Sequence, residues 1–124
     1  MKLNLDVLPV KYWDMTTIIS WLQRRIIVYS IMYYEMSESC ITDKSYDELS
    51  HQLVELMNSN PQEVLEQTTY WYAMYDFDGS TGFDIPDRLT KSDREYLKSD
   101  REYLTTIASH VQKLYRESRY GSNK

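Results

Sequence analysis

Only three glycines and three prolines punctuate 124 residues, and this scarcity of chain breakers constrains the fold more than any other feature. A protein of many strands and tight turns needs such residues at its corners, so long helices are expected instead. The apolar pattern agrees. Ile18, Ile19, Leu22, Ile26, Tyr29, Met32 and Tyr33 recur at three- and four-residue spacing, which predicts a helix over about 14–36 with Asp14 or Thr16 as its N-cap. A turn at 37–40 comes next. Thr42 then caps a second helix over about 42–57, with Tyr46, Leu49, Leu53, Leu56 and Met57 as its apolar stripe and an Asn-rich end at 58–60.

Pro61 suits the first turn of a third helical segment, PQEVLEQ, which leads into TTYWYAMYDF. That run is rich in aromatic and β-branched residues and suits a strand as well as a helix; the preferred reading is a helix that frays or turns around 70–75. Residues 76–87 hold two of the three glycines and one proline, and read as a loop. A last helix is expected over about 90–118, with Leu97, Leu104 and Val111 seven apart and Ile107 and Leu114 on the same face. Pro9 makes residues 1–13 a short arm or edge piece. The expected fold is a single all-α domain over 1–124: a helix hairpin at 14–60, then a loop and a C-terminal helix within 61–124.

Within the last helix the heptad KSDREYL at 91–97 returns letter for letter at 98–104. Seven residues are close to two helical turns, so an inserted heptad rotates the downstream residues by only about 20°. A sustained coiled-coil seam is not expected, because Asp100 stands where a second apolar position belongs. Ser92 with Glu95 and Ser99 with Glu102 each form a capping box. The helix thus has two possible starts, and an in-frame duplication at a loop–helix junction accounts for both copies.

Twelve Tyr and three Trp stand against two Phe. Amphipathic rings in such number must serve the core and also leave some exposed, where they suit binding. A formal net charge of −5 argues against direct nucleic-acid binding, which needs clustered Lys and Arg, and favours a partner with a basic face. The single cysteine, Cys40, excludes an internal disulfide and a thiolate metal site and suits a reducing compartment. No window of ~18 apolar residues and no basic-then-apolar leader is present, so no membrane association and a cytoplasmic location are expected.

Residues 33–56, YYEMSESCITDKSYDELSHQLVEL, join a tyrosine pair closing one helix to an I-T-D-x-x-Y-D-x-L motif opening the next. This stretch resembles the N-terminal helical domain, domain Ia, of bacterial NAD-dependent DNA ligases over about 45 residues. The resemblance implies a grip on the nicotinamide mononucleotide (NMN) half of NAD by Tyr33, Tyr34, Asp43, Tyr46 and Asp47. The spacing is compatible with that role: Asp43, Tyr46 and Asp47 project from one part of a first helical turn, where carboxylates and a ring can meet a cation. Acidic residues in a first turn also favour the helix dipole without any ligand.

The ligase chemistry itself is not expected. It needs a K-x-D-G lysine to form a phosphoramidate, and the nearest four residues here are Asp76, Phe77, Asp78 and Gly79. YDFDGSTGF also resembles the D-x-D-G-[ST] motif of haloacid-dehalogenase phosphatases, but that motif needs a parallel α/β sheet. Asp76, Asp78, Ser80, Asp84 and Asp87 fall at EF-hand spacing as a weak calcium-loop alternative; Thr81 replaces the usual glycine, and a polar turn is the simpler reading. His51 and His110 have no ligand-spaced companions, and Arg24-Arg25 reads as a solvated pair.

The expected function is therefore non-catalytic, with no resident cofactor. One reading is an interaction protein of bacteriophage or mobile-element type, binding and inhibiting a host protein such as a defence nuclease. The alternative is an NMN- or NAD-binding sensor, or an accessory acting in trans with a ligase.

Overall fold

The computed structural model describes residues 14–36, 40–80, 82–91 and 99–121. The fold is all-α. Its elements are α1 (Met15–Glu35), α2 (Asp43–Ser59), two single-turn helices α3 (Gln62–Leu65) and α4 (Trp71–Met74), a 3-10 turn (Ile85–Arg88) and α5 (Asp100–Gly121). No described helix is long and apolar enough to cross a membrane.

Helix α1 begins where Asp14 accepts a hydrogen bond from the Thr17 amide at 2.8 Å, satisfying one of the free N–H groups of the first turn. That contact also holds the Asp14 carboxyl below its ordinary range. From Ile18 to Met32 the helix is apolar around most of its circumference. Ile27, Val28 and Ile31 are buried along with the Ile18, Ile19, Leu22, Ile26 and Met32 of the expected stripe. A helix apolar around most of its circumference must be covered around most of it, and α2, α3, α5 and the 3-10 turn all pack against it. Each fully buried Ile or Leu contributes about 1.5–3 kcal/mol, so this central helix dominates the packing.

Thr42 caps α2 through the Ser45 amide at 3.1 Å, and Asn60 closes it by donating to the Leu56 carbonyl at 2.7 Å. Leu53 is fully buried, while Tyr46, Leu49, Leu56 and Met57 pack partly buried against the core.

Residues 61–75 are tied to α1 by one buried amide. Gln23 donates to the Thr68 hydroxyl at 3.0 Å and accepts from the Tyr70 amide at 3.1 Å; Thr68 in turn donates to the Leu65 carbonyl. The Ser20 hydroxyl accepts from the Thr69 amide. These bonds satisfy backbone groups left over between α3 and α4, which lets Leu65, Tyr70, Ala73 and Met74 enter the core. The helical reading of the 70–75 region holds, as a single turn at Trp71–Met74.

Three expectations need correction. The loop at 76–87 is not irregular throughout, because Ile85 and Pro86 are buried in a 3-10 turn. The last helix does not start near 90: Thr90 and Lys91 are non-helical and α5 starts at Asp100. Ser99 caps it through the Glu102 amide at 3.2 Å, as the second capping box expects. The first copy, with Ser92, Glu95 and Leu97, lies outside the described residues, as does the arm at 1–13. Finally, Leu104 and Ala108 are buried but Leu114 is 50% exposed. The helix extends past the core it covers.

Tyr72 holds the junction before α5. Its hydroxyl donates to the buried Asp100 carboxylate at 2.8 Å and accepts from the amides of Thr90 and Lys91. The Lys91 carbonyl accepts from the Asp100 amide. The residues that flank 92–98 therefore meet, and the second copy of the heptad begins at the last residue of that segment, Lys98. Deleting 91–97 leaves Thr90 joined to the same Lys-Ser-Asp-Arg-Glu-Tyr-Leu, so the Tyr72 hydroxyl can again meet an aspartate carboxylate and the amides of Thr90 and the lysine after it. We expect a deletion variant that unfolds cooperatively within about 1 kcal/mol of the parent in urea; loss of cooperative unfolding would show the extra heptad to be structural.

Burial, and then the bond to Asp100, push the Tyr72 phenol up to about 12 from 10.0. A group with a raised folded value stabilises fully below its unfolded value and loses that contribution as pH rises towards the folded one. Stability should therefore fall between about pH 10 and 12. Tyr72→Phe should lower stability at pH 7 by about 1–3 kcal/mol and flatten that alkaline slope, as read by urea midpoints across pH. An unchanged slope would remove Tyr72 as its source.

Candidate functional site

At its C-terminal end α1 leaves the core within one residue. Ile31 and Met32 are fully buried, whereas Tyr33 and Tyr34 are 52% and 44% exposed. Their rings meet edge to face at 4.8 Å, an arrangement the ring quadrupoles favour. Tyr29 lies one turn earlier on the Tyr33 side of the helix. Opposite them, the Thr42 cap fixes the first turn of α2 and so places Asp43, Tyr46 and Asp47.

These two element ends enclose a cleft of about 140 Å³, comparable with the ~150 Å³ cavity that accepts a benzene molecule. Tyr33, Tyr34, Asp43, Tyr46 and Asp47 all line it. The five residues singled out by resemblance thus converge. Tyr29, Ile41 and Ser80 also line the cleft and lie outside that set. Tyr29 carries a usable signal, since it stands four residues before Tyr33. Ser80 carries none, because a distant loop delivers it.

The loop reaches the hairpin through its glycines. Gly79 has φ +88°, the left-handed region that suits glycine, and Asp78 accepts from the Ser80 amide at 2.9 Å across this turn. Gly82 is buried against the hairpin for a different reason. A Cβ there would lie 2.5 Å from the Ser30 hydroxyl and 2.6 Å from the Tyr46 hydroxyl, so only a bare backbone fits.

The Ser30 and Tyr46 hydroxyls are 2.9 Å apart. Ser30 donates its hydrogen to the Ile26 carbonyl, so Tyr46 is the donor of the pair. Burial holds the Tyr46 phenol above its ordinary value. Tyr46 therefore shows the cleft its ring, while its hydroxyl faces inward and anchors the floor. Asp43 and Asp47 are exposed at the rim. Two carboxylates beside four phenol rings make an environment for a flat or compact cation. Among the described residues, no Lys, Arg or His lines the cleft.

The residues at calcium-loop spacing are engaged in other pairings. Asp76 and Asp84 both pair with Arg88, Asp84 at 2.9 Å, and Asp87 pairs with Arg101 at 3.0 Å. Asp78 is engaged with Ser80. Asp76, Asp84 and Asp87 each face an arginine, and no group of three or more potential metal ligands gathers among the described residues. The pairing holds the Asp76 carboxyl below its ordinary range. Arg25 is likewise not a solvated charge. It is half-buried, over the Trp21 ring at 5.0 Å and the Tyr29 ring at 5.5 Å, and donates to the Tyr29 hydroxyl. It braces the cleft wall from behind, while Arg24 is exposed. His51 and His110 are both exposed helix residues.

Comparison with protein-family models, curated proteins and solved structures finds no match to this chain.

The fit at Gly82 makes a direct test of this geometry. Gly82→Ala forces apart the loop and the Tyr46–Ser30 pair, and should cost about 1–3 kcal/mol in chemical denaturation. Gly79→Ala should also destabilise, through backbone strain rather than displacement of Tyr46. Unchanged stability in Gly82→Ala would mean that the loop does not sit on the hairpin.

Proposed function

We propose that this chain is a non-catalytic binding protein whose tyrosine–aspartate cleft takes the nicotinamide ring of NMN or NAD, acting as a sensor or as an accessory in trans to a ligase-type catalytic chain. The observation that supports it is the convergence of Tyr33, Tyr34, Asp43, Tyr46 and Asp47 on one ring-sized cleft. The pyridinium of an oxidised nicotinamide nucleotide is a flat cation, matched by phenol faces and by rim carboxylates that can also accept ribose hydroxyls. A helix hairpin of this kind in a sequence without the K-x-D-G lysine fits a role in binding alone.

A second reading has its own support. Tyr34 continues to Phe83 at a ring distance of 6.4 Å, and Phe83 is 62% exposed. An aromatic ridge beside two carboxylates on a chain of net charge −5 also suits an Arg or Lys of a basic protein partner. That is the surface of an inhibitor of a host enzyme, as in mobile-element proteins directed at defence nucleases.

Calorimetry with NMN and NAD separates the two. The nicotinamide reading expects micromolar binding, weakened at least tenfold by Asp43→Ala. Tyr46→Phe should act mainly through stability, by about 0.5–1.5 kcal/mol, because its hydroxyl faces Ser30. Silence with both nucleotides, together with a single host protein captured by the wild type and lost in a Tyr34→Ala, Phe83→Ala variant, would favour the second reading.

A further inference from the structure

Resting on the nicotinamide reading of the cleft, we infer that it selects the phosphate-free pyridinium nucleoside over its 5′-phosphate: the ligand class is a net cation, with nicotinamide riboside favoured over NMN. The cleft has room for one ring, so ribose and any phosphate must lie at its mouth. The exposed lining residues are Tyr33, Tyr34, Asp43, Asp47 and Ser80, which supply two negative charges and three hydroxyls but no cation.

A phosphate dianion needs a cation, an array of free amides or a helix N-terminus to hold it. The amides at the start of α2 are partly occupied, since Thr42 takes the Ser45 amide, and Asp43 puts a charge of the wrong sign in that turn. Among the described residues no guanidinium lines the cleft, and three of them are committed elsewhere. Arg25 is stacked on Trp21 and Tyr29, Arg88 is held by Asp76 and Asp84, and Arg101 is held by Glu35 at 2.6 Å and by Asp87. Lys44 is exposed on α2 outside the lining. The nucleoside, by contrast, places its single positive charge between phenol faces and its ribose diol beside the carboxylates.

The test is calorimetry of the full chain with nicotinamide riboside, NMN and neutral nicotinamide at low and moderate salt. We expect riboside to bind about tenfold tighter than NMN, the scale of two rim charges acting through water on a dianion. Added salt should narrow the gap by weakening the riboside and helping NMN. Asp43→Asn with Asp47→Asn, checked for intact folding by circular dichroism, should narrow it as well. NMN binding as tightly as the riboside, or tighter, would overturn this selectivity and leave the cleft reading standing. No binding of any of the three would remove the cleft reading and this inference together.

Discussion

Helix α1 has almost no face to give to solvent between Ile18 and Met32, and the rest of the molecule is arranged by the need to cover it. Leu53 of α2, Leu65 of α3, Ile85 of the 3-10 turn and Leu104 of α5 close on it from different elements. Burial on this scale outweighs any single polar contact in the fold, since one hydrogen bond contributes about 0.5–1.5 kcal/mol net. The polar contacts do something else. Gln23, Tyr72 and the Tyr46–Ser30 pair each fix where a non-helical stretch sits against its neighbours.

The site is the place where this covering stops. Beyond Met32 the side chains of α1 change from aliphatic to phenolic, and the helix end emerges beside the start of α2. Three constraints then set the cleft: the Thr42 cap that aims Asp43 and Asp47, the inward bond of Tyr46, and the bare backbone of Gly82 that brings Ser80 alongside. Arg25 contributes at one remove by bracing Tyr29. Stability and site are therefore built from overlapping residues, and Tyr46 belongs to both.

The range of each interaction decides how much of this is legible in the sequence. Helices α1 and α2, with Asp14 and Thr42 as caps, announce themselves because their signals recur within one or two turns. The five resemblance residues sit within 15 positions of one another on those same elements, and so they converge. Residues 61–91 carry no such period. Their course depends on Gln23 reaching Thr68 and Tyr70, and on Tyr72 reaching Asp100, single side chains acting across 28 to 47 residues. The acidic loop is hard to read for the same reason: its spacing matches a calcium loop, but Arg88 and Arg101 arrive from outside the 76–87 window and pair with Asp76, Asp84 and Asp87. The start of α5 is ambiguous in the sequence, which offers two identical capping boxes; the contacts of Asp100 with Tyr72 and Lys91 mark the observed one.

The central claim is that one cleft, walled by α1 and α2 and completed by the 76–88 loop, is where a small cationic ring binds. The most direct measurement is an amide chemical-shift titration of the labelled protein with nicotinamide riboside. Shifts gathered at Tyr29, Tyr34, Asp43 and Asp47, and extending to Ser80 and Gly82, are the predicted result. Shifts confined to other surfaces, or to the hairpin without the loop amides, would contradict it.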